Sequence, residues 1–155
     1  MALTAAKFHL TVQKIARGGA SGTGLLLNAD TLKLALFTAA TAPVLATDIS
    51  YSTTLAGGSA EVANGQGYTT GGNTCGAGST SNSSGTETLS TAQEPAVWTA
   101  SGSGFALRYF LLYDDTASSK WLLMQWDYTT TLTLSGANSD TLTVTGPDTS
   151  YATLA

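Results

Sequence analysis

Charge is scarce in this sequence. Asp, Glu, Lys and Arg make up 10% of its 155 residues, against about 25% in an ordinary globular domain. The surface must therefore be covered by Thr, Ser, Gly, Asn and Ala, which hydrogen-bond without charge and are easily dried. Such a surface suits a chain docked on neighbours or standing in a dense array. The formal net charge is −4, and the 6 Lys and Arg residues are scattered from Lys7 to Lys120 without a cluster. A sequence-independent grip on nucleic acid needs several cations on one face, and an anionic membrane attracts a basic one; neither partner is expected. The one cysteine, Cys75, excludes a disulfide within these residues and leaves the redox compartment open. No apolar run approaches the roughly 18 residues of a membrane-spanning helix. The first residues, MALTAAKFHLTVQKIARGG, do not read as a signal peptide. They lack an uninterrupted apolar core, and Lys14 and Arg17 stand where the small-residue cleavage site belongs.

Residues able to do chemistry are equally sparse. The single histidine, His9, has no nucleophile or orienting acid in its motif and reads as structural. Cys75 has no basic neighbour to activate it. Asp114, Asp115 and Asp127 could be gathered by a hairpin into a carboxylate pair or a cation site, but Asp after a strand is first of all a turn former. Asp30, Asp48, Glu61, Glu87 and Glu94 are isolated in sequence. The glycine runs GGASGTG (18–24) and GGNTCGAG (71–78) lack the Gly-Lys-Ser/Thr ending of a phosphate loop. No catalytic residue, metal site or cofactor is expected.

What the sequence does have is 43% hydrophobic residues arranged in clear runs, enough for one domain with its own core. Phe8, Val12 and Ile15 follow a helical spacing and predict a short N-terminal helix over 5–18, capped by Thr4 and stopped by Gly18-Gly19; a strand through Phe8, Leu10 and Val12 is the rival reading. In TLKLALFT (31–38), Leu32, Leu34 and Leu36 alternate with Lys33, Ala35 and Phe37, which predicts a strand apolar on both faces. DISYSTTL (48–55) holds either one helical turn or a short strand. GQGYTTGGNT (65–74) predicts a glycine arch with Tyr68 turned inward. The polar stretch 75–92 reads as a loop or insert, although Thr86, Thr88 and Ser90 alternate as a short edge strand would. AVWTA (96–100) is a short strand.

The late chain carries the strongest signal. FALRYFLLYDD (105–115) alternates Phe105, Leu107, Tyr109, Leu111 and Tyr113 against Ala106, Arg108, Phe110 and Leu112, and KWLLMQWDY (120–128) returns as its hairpin partner. TLTLSG (131–136) and DTLTVTG (140–146) predict a second hairpin, and SYATLA a short tail. The expected class is all-β: an antiparallel β-sandwich or jelly-roll-like barrel with one short N-terminal helix, forming a single domain over 1–155. Trp98, Tyr109, Tyr113, Trp121, Trp126 and Tyr128 are candidates for core, for a subunit interface or for a ligand-binding face.

Three of these stretches, taken in order, resemble a family of small virion structural proteins of tailed bacteriophages. They are NADTLKLALFTA (28–39), the arch GQGYTTGGNT (65–74), and FALRYFLLYDDTASSKWLLMQWDY (105–128). The resemblance rests on a short helix leading into a "DT(I/L)K(V/L)AL" strand, a "G.GY..GG" segment, a strand ending in Tyr-x-Asp-Thr, and a return strand with an aromatic and an acidic residue. It assigns architectural roles to Asp30 and Thr31 before the first strand, to Lys33 and Leu34 within it, to Gly67, Tyr68, Gly71 and Gly72 in the arch, to Tyr113, Asp115 and Thr116 at the hairpin turn, and to Asp127 on the return strand. It implies no catalytic residue. It implies a capsid decoration or accessory protein whose partners are the major capsid protein, other virion proteins and further copies of itself, a trimer included. A tail adaptor or fibre component is the alternative, and a carbohydrate-binding β-sandwich a weaker one. The resemblance covers neither the 75–92 stretch nor the last ten or so residues.

Overall fold

In the computed structural model, residues 4–7, 30–44, 50–56, 60–76, 79–83, 86–90, 95–116, 118–145 and 150–154 are described. The elements are β1 (Thr4–Lys7), β2 (Leu32–Phe37), α1 (Tyr51–Ala56), β3 (Asn73–Thr74), β4 (Ser79–Ser83), β5 (Thr86–Ser90), β6 (Ala96–Thr99), β7 (Phe105–Asp114), β8 (Leu122–Leu134), β9 (Thr141–Val144) and β10 (Ser150–Leu154). The protein is all-β and its strand pairs are antiparallel. The main sheet has the order β1-β8-β7-β2-β3; a second sheet has the order β10-β5-β4, and β6 pairs with β9 as a two-stranded ribbon.

Strand β2 behaves as its alternation predicts. Leu32, Leu34 and Leu36 enter one apolar cluster, while Ala35 and Phe37 enter a second on the opposite face. The first cluster also takes Trp98 and Ala96 from β6, Val62 and Tyr68 from the arch region, and Leu112 and Trp126 from the β7–β8 hairpin, with Leu142 and Val144 of β9 packed against it. The ribbon thus forms a second layer over the main sheet, giving a sandwich. On the other face, Tyr51 of α1 packs with Phe37, Tyr109, Leu111, Tyr113 and Leu122.

Four sequence expectations are corrected here. The N-terminal helix expected over 5–18 is strand at Ala5–Lys7, paired with Met124–Trp126; a helix of about three turns is only marginally stable on its own, whereas this strand extends an existing sheet. Its remainder, residues 8–18, lies outside the described residues. The 75–92 stretch is no plain loop: the alternating Thr86–Ser90 is strand β5, as its alternative reading expects, but it lies between β4 and the β10 of the expected tail rather than at an edge. The second hairpin does not form as drawn. The turn is present, with Ser139 N–H on Gly136 O at 3.2 Å and Asp140 N–H on Ser135 O at 3.1 Å. However, β8 runs on to Leu134 against the start of β7, and β9 pairs with β6.

The fourth correction concerns β7. Its expected alternation breaks where the β7–β8 register shifts between Leu107 and Tyr109. Phe105 and Leu107 share a cluster with Phe110 and Leu112, while Tyr109, Leu111 and Tyr113 line the opposite face. Thr129 at the irregularity has φ +67°, and its N–H donates to Asp127 Oδ1 at 2.7 Å. Extra residues on one strand of a pair bend it and change which face the next residues meet.

Candidate functional site

Thr31, Tyr113, Asp115 and Thr116 meet at one end of the main sheet with Gly71 beside them, whereas Gly67 packs on β6 and Asp127 lies farther along the hairpin. Strands β2 and β7 pair Leu32 with Asp114 and Lys33 with Tyr113, which brings the two turn dipeptides together. Thr31 N–H donates to Thr116 Oγ1 at 2.7 Å, and Asp115 N–H donates to Thr31 O at 2.9 Å. Thr116 N–H in turn donates to Asp114 Oδ1 at 2.8 Å, the local side-chain turn that Asp favours. Asp30, just before this contact, is buried.

Asp115 sits between two cations, Lys33 Nζ at 2.7 Å and Lys120 Nζ at 2.7 Å. Burial pushes its carboxyl up, but the hydrogen bonds and charge of Lys120 and Lys33 outweigh that and hold it below its ordinary value. Farther along the hairpin, hydrogen bonds from Arg108, at 2.8 Å and 3.0 Å, lower the Asp127 carboxyl despite some desolvation. Both carboxyls are depressed in the fold. Their stabilising contribution is therefore complete above the unfolded carboxylate pKa and is lost as pH falls through their folded values. Unfolding midpoints measured below about pH 4 are expected to drop steeply, and Asp115→Asn is expected to flatten that slope while lowering the midpoint at neutral pH.

Beside this turn lies a polar node that the sequence does not reveal. Ala60–Val62 runs along the end of β2, with Val62 N–H on Leu36 O at 2.9 Å and Thr38 N–H on Ala60 O at 2.8 Å. That places Glu61, isolated in sequence, among three donors: the Tyr51 hydroxyl on Oε2, the Tyr68 hydroxyl on Oε1, and Gly71 N–H on Oε1 at 2.6 Å. Tyr68 also accepts Leu36 N–H at 3.1 Å, and the Tyr113 hydroxyl donates to Gly71 O at 2.8 Å. The Tyr51 and Tyr113 rings stack with centroids 4.8 Å apart. Burial, then the hydrogen bond to Glu61, raises the Tyr51 and Tyr68 hydroxyls above the ordinary tyrosine range, so both remain protonated donors. No sequence signal links Glu61 to Tyr51 and Tyr68, because the link passes through the pairing of 60–62 with β2.

The glycines of the arch are required by close approach. A Cβ at Gly72, where φ is +72°, would lie 1.9 Å from Leu34 O, and one at Gly67 would lie 2.0 Å from Thr99 O. Backbone thus packs directly on β2 and on β6.

The aromatic candidates separate. Trp98 and Trp126 are 2% and 8% exposed and belong to the core beneath the ribbon. Tyr109 and Tyr113 are buried on the opposite face, with the Arg108 guanidinium 5.0 Å from the Tyr109 ring centroid. Trp121 and Tyr128 are half-buried, Tyr128 against the first core. Trp98 Nε1 finds no hydrogen-bond partner among the described residues. The carboxylates do not converge either, since Asp115 is held by lysines at the turn and Asp127 by Arg108 opposite Tyr109. Cys75 is buried, its Sγ 3.6 Å from Asn73 O. No group of three metal-ligating side chains occurs among the described residues. The hydrogen bonds of this end of the molecule tie the turns, the arch and α1 to β2 and β7. No family model, curated protein or solved structure matches the chain.

Proposed function

We propose that the chain is a non-enzymatic structural protein of a tailed-phage particle, a capsid decoration or cement protein that binds the shell and neighbouring copies. The observation that carries this reading is the convergence of the motif residues. Thr31, the Gly71-Gly72 segment, and Tyr113 with Asp115-Thr116 are far apart in sequence, yet they brace one another at a single end of the sheet. Residues that recur together for an architectural reason are expected to touch. The composition supports the same role, because a surface with little charge lets copies stand side by side without strong repulsion, and many repeated sites make modest contacts sufficient. The burial of Trp98, Tyr109, Tyr113 and Trp126 leaves only Trp121 and Tyr128 of the six aromatic candidates partly exposed, which weighs against an exposed sugar-binding row.

The test is cryo-electron microscopy of purified particles from the phage that encodes the chain. Many copies on an icosahedral shell, bridging shell subunits, are expected. A few copies in a ring or trimer on the tail axis would replace decoration with the adaptor or fibre reading. Complete absence from the particle would overturn both.

A further inference from the structure

Among the described residues, strand β9 is an edge without the usual protection. Ala100 N–H donates to Asp140 O at 2.8 Å, and the β6–β9 register matches Trp98 with Leu142 and Ala96 with Val144. Antiparallel pairing alternates, so Leu142 and Val144 direct their backbone groups to β6, and Thr141, Thr143 and Thr145 direct theirs outward. The far side of β6 is already occupied, with Asn73 Nδ2 donating to Val97 O at 2.5 Å and the Gly67 backbone against Thr99 O. The outer side of β9 has no partner strand among the described residues.

Edges that must remain single carry lysine, proline, a bulge or an inward-pointing charge. Thr141–Thr145 has none of these, in a ribbon of two strands among the described residues. Thr141, Thr143 and Thr145 are exposed. Beside them, Thr99 shares a hydroxyl contact with Thr141 at 3.2 Å, and Val97 is 44% exposed. Leu142 and Val144 are half-buried and leave an apolar flank toward the same edge.

We propose that β9 is the seam of a homodimer, in which two copies pair Thr141–Thr145 antiparallel about a two-fold axis through Thr143. The pattern is self-complementary about that residue. Thr143 meets its own copy, Thr141 meets the second copy's Thr145, and Leu142 lies opposite the second copy's Val144. The outward backbone groups then form about six hydrogen bonds, threonine pairs face threonine pairs, and the ribbon becomes a four-stranded sheet continuous between copies. A two-fold axis sets position 143 against itself and position 141 against 145, so an ionisable group at 143, or like charges at 141 and 145, would repel across the seam. The neutral edge of a chain with net charge −4 carries no such penalty, which is why a second copy is the occupant that fits. The dimer does not depend on the role proposed in the particle.

Sedimentation velocity of the full chain over a wide concentration range tests it. A species of twice 15.8 kDa is expected, and Thr143→Lys is expected to weaken it at least about tenfold. In Thr143→Cys the new thiol faces its own copy at a separation compatible with a disulfide, so mild oxidation should yield a covalent dimer. Thr133→Cys, exposed on β8 away from this edge, should not. If Thr143→Lys fails to fold by circular dichroism, the two cysteine variants decide. A wild-type chain that stays monomeric overturns the seam. So does an oligomer that is insensitive to Thr143→Lys and gives no covalent dimer in Thr143→Cys. Either result leaves the particle reading to stand or fall on its own imaging.

Discussion

Replacing Gly72 with alanine is expected to lower the unfolding free energy by about 3–5 kcal/mol. Two separate costs add. At φ +72° the left-handed backbone itself opposes a side chain, by about 1–3 kcal/mol. The new methyl would also stand 1.9 Å from Leu34 O and 2.7 Å from Ala35 Cα, and those atoms belong to β2, which is hydrogen-bonded on both sides and buried on both faces. A central strand cannot move aside as the tip of a flexible side chain can. Relief must come from lifting the arch, which would strain the Gly71 contacts to Glu61 and Tyr113. Gly65→Ala is the control. Its φ of +108° is at least as unsuited to a side chain, but nothing lies within 4 Å of its Cβ, so it should cost only the backbone share. Urea denaturation of both variants separates the effects. Equal losses would show that conformation alone, and not contact with β2, fixes glycine at position 72.

How far the sequence reveals this structure depends on whether the deciding contacts are local. The β7–β8 hairpin is visible because both strands and their turn lie in one stretch, and β2 is visible because its two apolar faces alternate without interruption. Tyr68 is correctly placed inward, since glycines on both sides of an aromatic leave few other ways to fold. The pairing of β6 with β9 is not visible, because Thr-Leu-Thr-Val after a four-residue turn satisfies the rule for a hairpin with the preceding Thr-Leu-Thr-Leu equally well. What decides is a non-local gain: Trp98, Leu142 and Val144 reach the core together only when β9 crosses to β6. The shift near Arg108 is hidden for a similar reason, as every residue from Phe105 to Tyr113 is apolar enough for either face except Arg108 itself. Of the β4–β5 hairpin the sequence shows the alternation of β5 but not its partner β4, because Ser and Thr at nearly every position of 79–83 give no contrast between faces. For the motif residues, resemblance suggests architectural roles but not their mutual contacts.

Glu61→Ala is expected to destabilise the protein by about 3–5 kcal/mol, more than its removal of a single side chain would suggest. The carboxyl accepts from Tyr51, Tyr68 and Gly71, and both hydroxyls belong to rings that are less than a tenth exposed. Alanine leaves these donors without their acceptor, and each buried unsatisfied group costs about 1–3 kcal/mol. The loss also reaches three parts of the fold at once, since the node ties α1, the arch and the end of β2 together. Removing the donors as well should recover part of the cost. In Tyr51→Phe/Glu61→Ala the destabilisation is expected to be smaller than the sum of the two single changes, because a ring without a hydroxyl has nothing left unsatisfied. Tyr68→Phe is not equivalent, since its hydroxyl also accepts Leu36 N–H; pairing it with Glu61→Ala still strands that amide in the central strand. The double-mutant cycle with Tyr51 should therefore show strong coupling and the triple change with Tyr68 little further recovery. Additive losses in the Tyr51 cycle would mean that Glu61 acts on the fold independently of the helix, and the brace would then reduce to the arch and β2.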